Sequence, residues 1–189
     1  MIYLIGGAPR SGKSLLCQQI ASKQKIGWIS TDLLVELLRV HNEVGVKTEW
    51  NAAPEAIAAN AEWFFPYLAR FVWGISSLAE SYVIEGVDFL PAQVARLSTQ
   101  YPIRPVFLGR SSITLEQFDQ FPGCSRGYAG LPEELRRQIV RDVPLWSTFV
   151  RQEAERFGYR YIDMNGDFTP HLNQAEELLL EDSQSAFGK

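Results

Sequence analysis

A glycine-rich stretch near the start of the chain combines residue types that can hold an anion. The sequence GGAPRSGKS places Gly7, Gly12, Lys13 and Ser14 at the spacing G-x-x-x-x-G-K-[ST]. Glycines let the backbone curl so that successive N–H groups face inward, and the following helix adds the positive end of its dipole. The spacing therefore predicts a polyphosphate-binding loop. Its lysine would contact the β and γ oxygens, and its serine would hold a magnesium ion.

The loop and the start of its helix are the predicted nucleotide-binding residues. They are Gly7, Ala8, Pro9, Arg10, Ser11, Gly12, Lys13 and Ser14. A GTP-dependent switch would normally carry an N-K-x-D motif for the guanine base, and the sequence contains none. We therefore expect ATP with Mg²⁺, and we expect Lys13 to take part in the chemistry.

Two acidic residues follow short apolar runs further along the chain. Asp32 comes after GWIST, and Glu85 ends SYVIE. Glu85 resembles the acidic end of a Walker-B strand, which holds magnesium directly or through water, although a turn role stays open and Asp88 could compete with it. Asp32 is the candidate general base for an attacking hydroxyl. The alternative is that Asp32 caps the helix that follows, because aspartate is a favoured N-cap residue.

The elements that must position these residues alternate between short β-rich runs and longer helical ones. IYLIG, IGWIS, SYVIEG, IRPVFLG and YRYIDM are typical of strands, and the segments between them have helical periodicity. This alternation predicts an α/β fold with a parallel sheet and helices on both faces. The long helix from about 54 to 80 is expected to kink or divide at Pro66. Its apolar repeat indicates a core or dimer contact, with the lining of an acceptor pocket as the alternative, and consists of Phe64, Leu68, Phe71, Ile75 and Leu78.

Composition limits the classes of protein that remain. A chain of 189 residues with 46% hydrophobic content is the size of one domain, so we expect a single domain over 1–189. The formal net charge of −4 argues against a general nucleic-acid binder. Two cysteines provide no disulfide framework, and we expect a cytoplasmic protein without a membrane span.

Three stretches together resemble a known family. GGAPRSGKS, ISTDLLVELLR and VIEGVDFLP, in this order, look like the small P-loop kinases, a superfamily that includes nucleoside monophosphate kinases, gluconate and shikimate kinases and 2-phosphoglycerate kinase-like proteins. The resemblance covers roughly 1–165. It implies the five-stranded parallel sheet of the P-loop NTP hydrolases, with nucleotide-kinase-like topology, ATP and Mg²⁺ as cofactors, and a lid after the fourth strand.

The resemblance also places further candidate residues. The lid-like segment would span about 110–142, and Arg126, which stands beside a glycine, is the lid arginine that we expect to act on the transferring phosphoryl group. Arg137 and Arg141 are weaker candidates on one helical face. Asp163 and Asn165 lie where the adenine edge sits in similar kinases.

The function expected from these observations is an ATP-dependent phosphotransferase, a kinase for a hydroxyl of a small metabolite. The acceptor could itself be anionic, and Arg39 is a candidate to bind it. Adenylate-kinase-like enzymes usually have a glycine between Thr and Asp in the second motif, and STD has none. Two alternatives stay open: a nucleoside monophosphate kinase with a phosphate acceptor, and an ATP- or GTP-binding regulatory or assembly protein without an acceptor site. A homodimer is also open.

Overall fold

The computed structural model describes residues 1–40, 50–78, 80–120 and 130–181. Strands and helices alternate along the chain as the sequence predicts. The elements are β1 (Ile2–Gly7), α1 (Lys13–Gln24), β2 (Gly27–Ser30), α2 (Thr31–Arg39), α3 (Pro54–Ser77), β3 (Tyr82–Gly86), α4 (Pro91–Ser98), β4 (Ile103–Gly109), α5 (Leu115–Gln120), α6 (Glu133–Phe157), β5 (Tyr161–Asp163) and α7 (Phe168–Leu180).

The strands form one parallel five-stranded sheet in the order β2-β3-β1-β4-β5. This confirms the predicted fold class. The first strand is central, and its residue Ile5 lies between Glu85 of β3 and Val106 of β4. Because all strands run the same way, their carboxyl ends meet at one edge, which is where ligands bind in open α/β sheets.

Helices cover both faces of the sheet. Alternate residues of a buried strand point to opposite faces, so neighbouring residues of β1 pack into two separate cores. Leu4 of β1 packs into a core formed with α3, α4 and α6. Its neighbour Ile5 packs into a second core formed with α1 and α7. The central strand is buried throughout, so the loop after Gly7 starts from a rigid position.

The long helix α3 is not divided at its proline, and the expected bend there stays a prediction. The helix continues through Pro66, and α6 likewise continues through Pro144. In α3, Phe64 and Leu68 on either side of the proline are fully buried, so packing holds both halves of the helix in place despite the lost backbone donor. The predicted apolar face is confirmed for these residues, but Leu78 at its end is 73% exposed.

The segment that follows β4 has a small core of its own. Ile113 and Phe118 pack against Ile139 and Val143 of α6. The division into one domain with a lid-like segment at about 110–142 stays a prediction. None of the helices in the described ranges combines the length and apolar character that a membrane span requires.

Candidate functional site

The glycine-rich loop joins the central strand directly to α1. Gly7 has φ 131°, and a Cβ there would lie 1.9 Å from the carbonyl oxygen of Leu108 on the neighbouring strand. Gly12, the N-cap residue of α1, has φ 89°. Arg10 at the tip of the loop also has a positive φ, 62°. Both glycines adopt a conformation that disfavours other residues, which explains their spacing in the sequence.

Lys13 is buried and folds back onto the loop. Only 7% of the residue is exposed, and its Nζ donates a hydrogen bond of 2.6 Å to the carbonyl oxygen of Ala8. Ser11 donates to the same oxygen at 2.8 Å. Burial lowers the pKa of Lys13, although nearby carboxylates, Glu85 first, oppose that shift. The loop therefore holds a desolvated lysine beside the concave backbone in which a phosphate would lie.

The predicted magnesium ligands lie in hydrogen-bond contact. Ser14 Oγ donates to Glu85 Oε1 at 3.1 Å, and Glu85 is only 4% exposed. The contact exists because β3 pairs with β1, which places Glu85 beside the strand that leads into the loop. A hydroxyl and a carboxylate are oxygen ligands of the kind that Mg²⁺ prefers, with phosphate oxygens and water completing its shell. In the described part of the chain, no group of three or more His, Cys, Asp or Glu side chains is arranged to hold a metal.

Asp32 lies in the first turn of α2, but it does not cap that helix. The N-cap is Ser30, whose hydroxyl accepts a hydrogen bond of 3.4 Å from the backbone N–H of Asp32. The capping alternative for Asp32 is therefore wrong. Desolvation by surrounding protein, and then the negative charges of Asp88 and Glu85, raises the pKa of the Asp32 carboxyl, while Lys13 opposes the rise. The residue is nevertheless exposed, so an acceptor molecule could reach it.

A buried cluster beside Asp32 was missed by the sequence reasoning. Asp88 is 7% exposed and accepts hydrogen bonds from Thr31 Oγ1 at 2.5 Å and from Asn60 Nδ2 at 2.8 Å. Its carboxylate therefore joins the first residue of α2 to α3. The signal available in the sequence was the position of Asp88 shortly after Glu85, but nothing in the sequence indicated Asn60 as its partner.

In the described ranges, the arginines predicted for the lid are not seen in contact with the glycine-rich loop. Arg126, the preferred candidate, lies outside the described residues. Arg137 pairs with Glu133 of its own helix at 2.6 Å, and both side chains are more than half exposed. Arg141 is exposed. The roles proposed for these arginines stay predictions.

Two other arginines have defined contacts. Arg39, the candidate for an anionic acceptor, pairs with Glu36 at 2.7 Å near the C-terminal end of α2, away from Asp32 in the first turn. Arg10 in the loop was predicted only as part of the phosphate cradle. Its guanidinium donates to the backbone oxygen of Phe118 at 2.9 Å and lies 4.8 Å from the centre of that ring. The loop is thus attached to α5.

The far side of the loop carries the residues expected near the adenine edge. Asp163 at the end of β5 accepts hydrogen bonds from the backbone N–H groups of Ser111 and Asn165, at 3.0 and 3.1 Å. The ring of Phe168 lies against the loop, because a Cβ on Gly12 would approach it to 2.6 Å. Asp163 ends β5, which lies on the opposite side of β1 from β2 and Asp32. Contact of these residues with a base stays a prediction.

Known structures provide the comparison for this arrangement. No protein-family model and no curated protein matches the sequence. A gluconokinase from Sinorhizobium meliloti 1021 aligns with a TM-score of 0.57 at 16% identity, covering 94% of this chain and 90% of that one. An uncharacterized protein from Eubacterium ventriosum ATCC 27560 aligns with a TM-score of 0.50 at 16% identity, and the alignment covers 92% of this chain and 94% of that one. The chain has the fold of a small P-loop kinase. At these identities, the likeness concerns the fold.

Two cavities of this P-loop kinase fold lie away from the loop. One of about 640 Å³ lies between residues 50–54 and α6, where Trp50 donates to Asp142 at 2.6 Å. The other, of about 490 Å³, is an apolar groove between α2 and α3. Neither is lined by Lys13 or Asp32. We place the candidate site at the loop, because phosphate recognition depends on an open backbone cradle and its cation.

An apolar strip on α2 bears on the question of self-association. Leu33, Leu37 and Val40 are each more than 60% exposed, and they are spaced i, i+4, i+7 on one side of the helix. Exposed apolar patches of this kind often mark interfaces. The homodimer stays a prediction.

Proposed function

We propose that the protein is a magnesium-dependent kinase that transfers the γ-phosphoryl group of ATP to a hydroxyl of a small metabolite. The observation that carries the proposal is the contact of Ser14 with Glu85 beside the buried Lys13. A hydroxyl and a carboxylate that could ligate a metal thus lie near a lysine that folds onto the glycine-rich loop, and this arrangement supports the proposal. The fold shared with a gluconokinase supports a small-molecule acceptor.

Each residue has a defined part in the proposed transfer. The backbone N–H groups of the loop bind the phosphates, and Lys13 leaves the Ala8 carbonyl to contact the β and γ oxygens. Asp32 takes the proton of the acceptor hydroxyl as its oxygen attacks phosphorus. The new O–P bond forms while the bond between the γ phosphorus and its bridging oxygen breaks, and that oxygen leaves on ADP with the electron pair.

Magnesium would be held by Ser14 Oγ and Glu85, directly or through water, and it would neutralise charge on the β and γ oxygens. The Ser14 hydroxyl can donate its hydrogen to Glu85 and still offer an oxygen lone pair to the ion. Arg126 is proposed to complete the site from the lid by stabilising the charge on the transferring group. We expect the protein to act in the cytoplasm, without nucleic acid or membrane partners.

The test is a transfer assay with γ-labelled ATP, Mg²⁺ and a panel of hydroxyl-bearing metabolites that includes AMP, CMP and UMP. Lys13→Ala is compared with the wild type, and Lys23→Ala in the same helix is the control. Lys23 pairs with Glu176 away from the loop. Loss of Lys13 should lower transfer by on the order of a hundredfold or more, because its charge acts on the transferring group.

The panel separates the alternatives. Transfer to a nucleoside monophosphate in preference to every hydroxyl acceptor would establish the nucleotide-kinase alternative. Slow hydrolysis without transfer to any metabolite would favour a regulatory protein. Turnover that survives Lys13→Ala, with the fold intact by circular dichroism, would contradict the phosphate-cradle assignment itself.

A further inference from the structure

The buried carboxylate of Asp88 joins three elements at the edge of the candidate site. It follows β3 by two residues, accepts from Thr31 at the start of α2, and accepts from Asn60 in α3. Each of its two oxygens receives one of these donors. Hydrogen bonds to a buried carboxylate are stronger than those between neutral groups, so the carboxylate is a firm link between the two helices.

Thr31 has little freedom to leave this position. It is fully buried, and a Cβ added to Gly86 would lie 1.8 Å from its hydroxyl oxygen. The close approach is possible because residue 86 is a glycine. The backbone at the start of α2 is therefore held by packing against β3 and by the Asp88 hydrogen bond.

Asp32 is the next residue along α2, and its placement depends on that backbone. Asp32 is exposed, whereas Thr31 before it is buried. A shift of the first helical turn would carry the Asp32 carboxylate with it. Ser30, two residues before Asp32, pairs in the sheet with Glu85, and Glu85 accepts a hydrogen bond from Ser14 at the start of α1.

We propose that Asp88 is a positioning residue for phosphoryl transfer. By tying Thr31 to Asn60, it holds the Asp32 carboxylate toward the phosphate loop and sets the separation of α2 and α3 where the acceptor hydroxyl enters. Asp88 acts through Asp32 and does not itself take the proton. The inference rests on the proposed kinase function, in which Asp32 is the base.

A charge effect of Asp88 makes a different prediction from a positioning effect. In Asp88→Asn, the new amide oxygen can accept from Thr31, and its NH₂ can donate to the Asn60 oxygen once the Asn60 amide rotates. This variant keeps both links but removes the charge. Asp88→Ala removes both links and the charge together. Rescue by asparagine therefore identifies positioning, whereas equal loss in both variants identifies the charge.

The experiment measures ATP affinity, melting temperature and the rate of ADP formation, with water as acceptor or with the acceptor found in the panel. Asp88→Ala should lower the rate by roughly tenfold to a hundredfold, because a misplacement of about 1 Å can cost a hundredfold. ATP affinity should stay within about threefold, since the phosphate loop is untouched. Asp88→Asn should retain most of the rate that alanine loses.

Glu176→Ala is the matched control. Glu176 is also a buried carboxylate joining two helices, and it accepts from Gln19 and Lys23 on the other face of the sheet. It should lower the melting temperature without lowering the rate. A rate loss as large as that of Asp88→Ala would overturn the inference, because the effect would then be general destabilisation.

Other outcomes also decide the matter. A full rate in Asp88→Ala, or equal losses in the alanine and asparagine variants, would overturn the positioning role. If Asp88→Ala does not fold, Thr31→Val removes one link at nearly constant shape, and a full rate in that variant would overturn the role as well. Wild-type turnover that does not depend on Lys13 would instead refute the proposed function. Lys13-dependent turnover with an unaffected Asp88→Ala would refute only the Asp88 inference.

Discussion

The separation of helix capping from base catalysis at the start of α2 gives the sharpest prediction for the proposed mechanism. The cap is Ser30 and the candidate base is Asp32, so the two functions can be removed one at a time. Ser30→Ala removes the cap and leaves the carboxylate. Asp32→Asn removes the base and leaves the cap, and asparagine keeps the size of the side chain.

The structure sets the magnitudes for stability. Loss of a serine cap typically costs about 0.5–2 kcal/mol, and the long 3.4 Å bond from Asp32 N–H to Ser30 places this case near about 0.5–1 kcal/mol. Asp32→Asn loses an acid from the first helical turn, which is worth about 0.3–1 kcal/mol. It also removes an unfavourable charge, since desolvation first, and then repulsion from Asp88 and Glu85, raises the pKa of Asp32. The net change in the free energy of unfolding should therefore stay within about 1 kcal/mol.

The two variants should differ far more in transfer rate than in stability. Asp32→Asn should lower transfer by about a hundredfold to ten-thousandfold, because an amide cannot accept the proton. Ser30→Ala should change the rate little. ATP affinity should be similar in both variants, since neither residue belongs to the phosphate loop.

The pH dependence gives a second readout of the same carboxyl. Asp32 acts as a base only when ionised, and its pKa is raised above its usual value. The value of kcat/KM, which reports on groups of the free enzyme, should therefore fall as the pH falls through that raised pKa. The fall should begin at a higher pH than for an ordinary aspartate, whose pKa is about 3.9. Asp32→Asn should remove this limb of the profile, whereas Ser30→Ala should keep it.

Melting curves, ATP titrations and transfer rates on one preparation of each variant complete the assay. Full transfer by Asp32→Asn would refute base catalysis at this residue and favour a phosphate acceptor. Loss of ATP and Mg²⁺ binding in the same variant would place Asp32 in the metal site. A Ser30→Ala variant as inactive as Asp32→Asn would show that the intact helix start, not the carboxylate, carries the effect.

The remaining predictions concern two glycines, Gly12 in the loop and Gly74 in α3, and the thiol of Cys17 in α1. Gly12→Ala should lower the free energy of unfolding by about 1–2 kcal/mol, because Gly12 has a positive φ, and it should weaken ATP binding because the added Cβ would meet Phe168. Gly74→Ala should raise the free energy of unfolding by about 0.5–1 kcal/mol, because Gly74 lies within α3 and a Cβ there would meet open space. Thermal unfolding and ATP titration check both, and equal ATP affinity in the two variants would contradict the cradle geometry. Burial, followed by the charge of Glu85, raises the pKa of the fully buried Cys17 thiol, so iodoacetamide at pH 8 should leave Cys17 unmodified until the protein is denatured. Peptide mass spectrometry measures this, and rapid modification of Cys17 in the native protein would contradict its burial.

The fold could be predicted from the sequence because its signals are local. Strand and helix periodicities alternate, and the loop residues between Gly7 and Ser14 are contiguous, so their geometry depends on short-range backbone preferences. The contact of Ser14 with Glu85 could also be anticipated, because parallel strands bring their carboxyl ends to one edge. Pro66 does not divide α3 as the sequence allowed, because burial of Phe64 and Leu68 outweighs the local cost of a proline.

The rest of the candidate site depends on contacts that no local pattern contains. Asn60 precedes Asp88 by 28 residues and meets it only because α3 packs over the end of β3. Capping by Asp32 stayed open as an alternative because aspartate and serine are comparable caps, and a shift of two residues in the helix start exchanges their roles. Helix boundaries are set by tertiary packing as much as by propensity.

The acceptor is the least predictable feature, and the reason is physical. A phosphate loop recognises ATP largely through backbone N–H groups, whose arrangement a glycine spacing encodes. An acceptor is generally recognised by side chains from separate elements. In the proposed mechanism the acceptor meets Asp32 on α2, and the position of α2 relative to α3 depends on the link from Thr31 through Asp88 to Asn60. A substitution at Asp88 could therefore alter the use of an acceptor while leaving the nucleotide motif unchanged. The acceptor must accordingly be identified by transfer assays in which the geometry around Asp88 is intact.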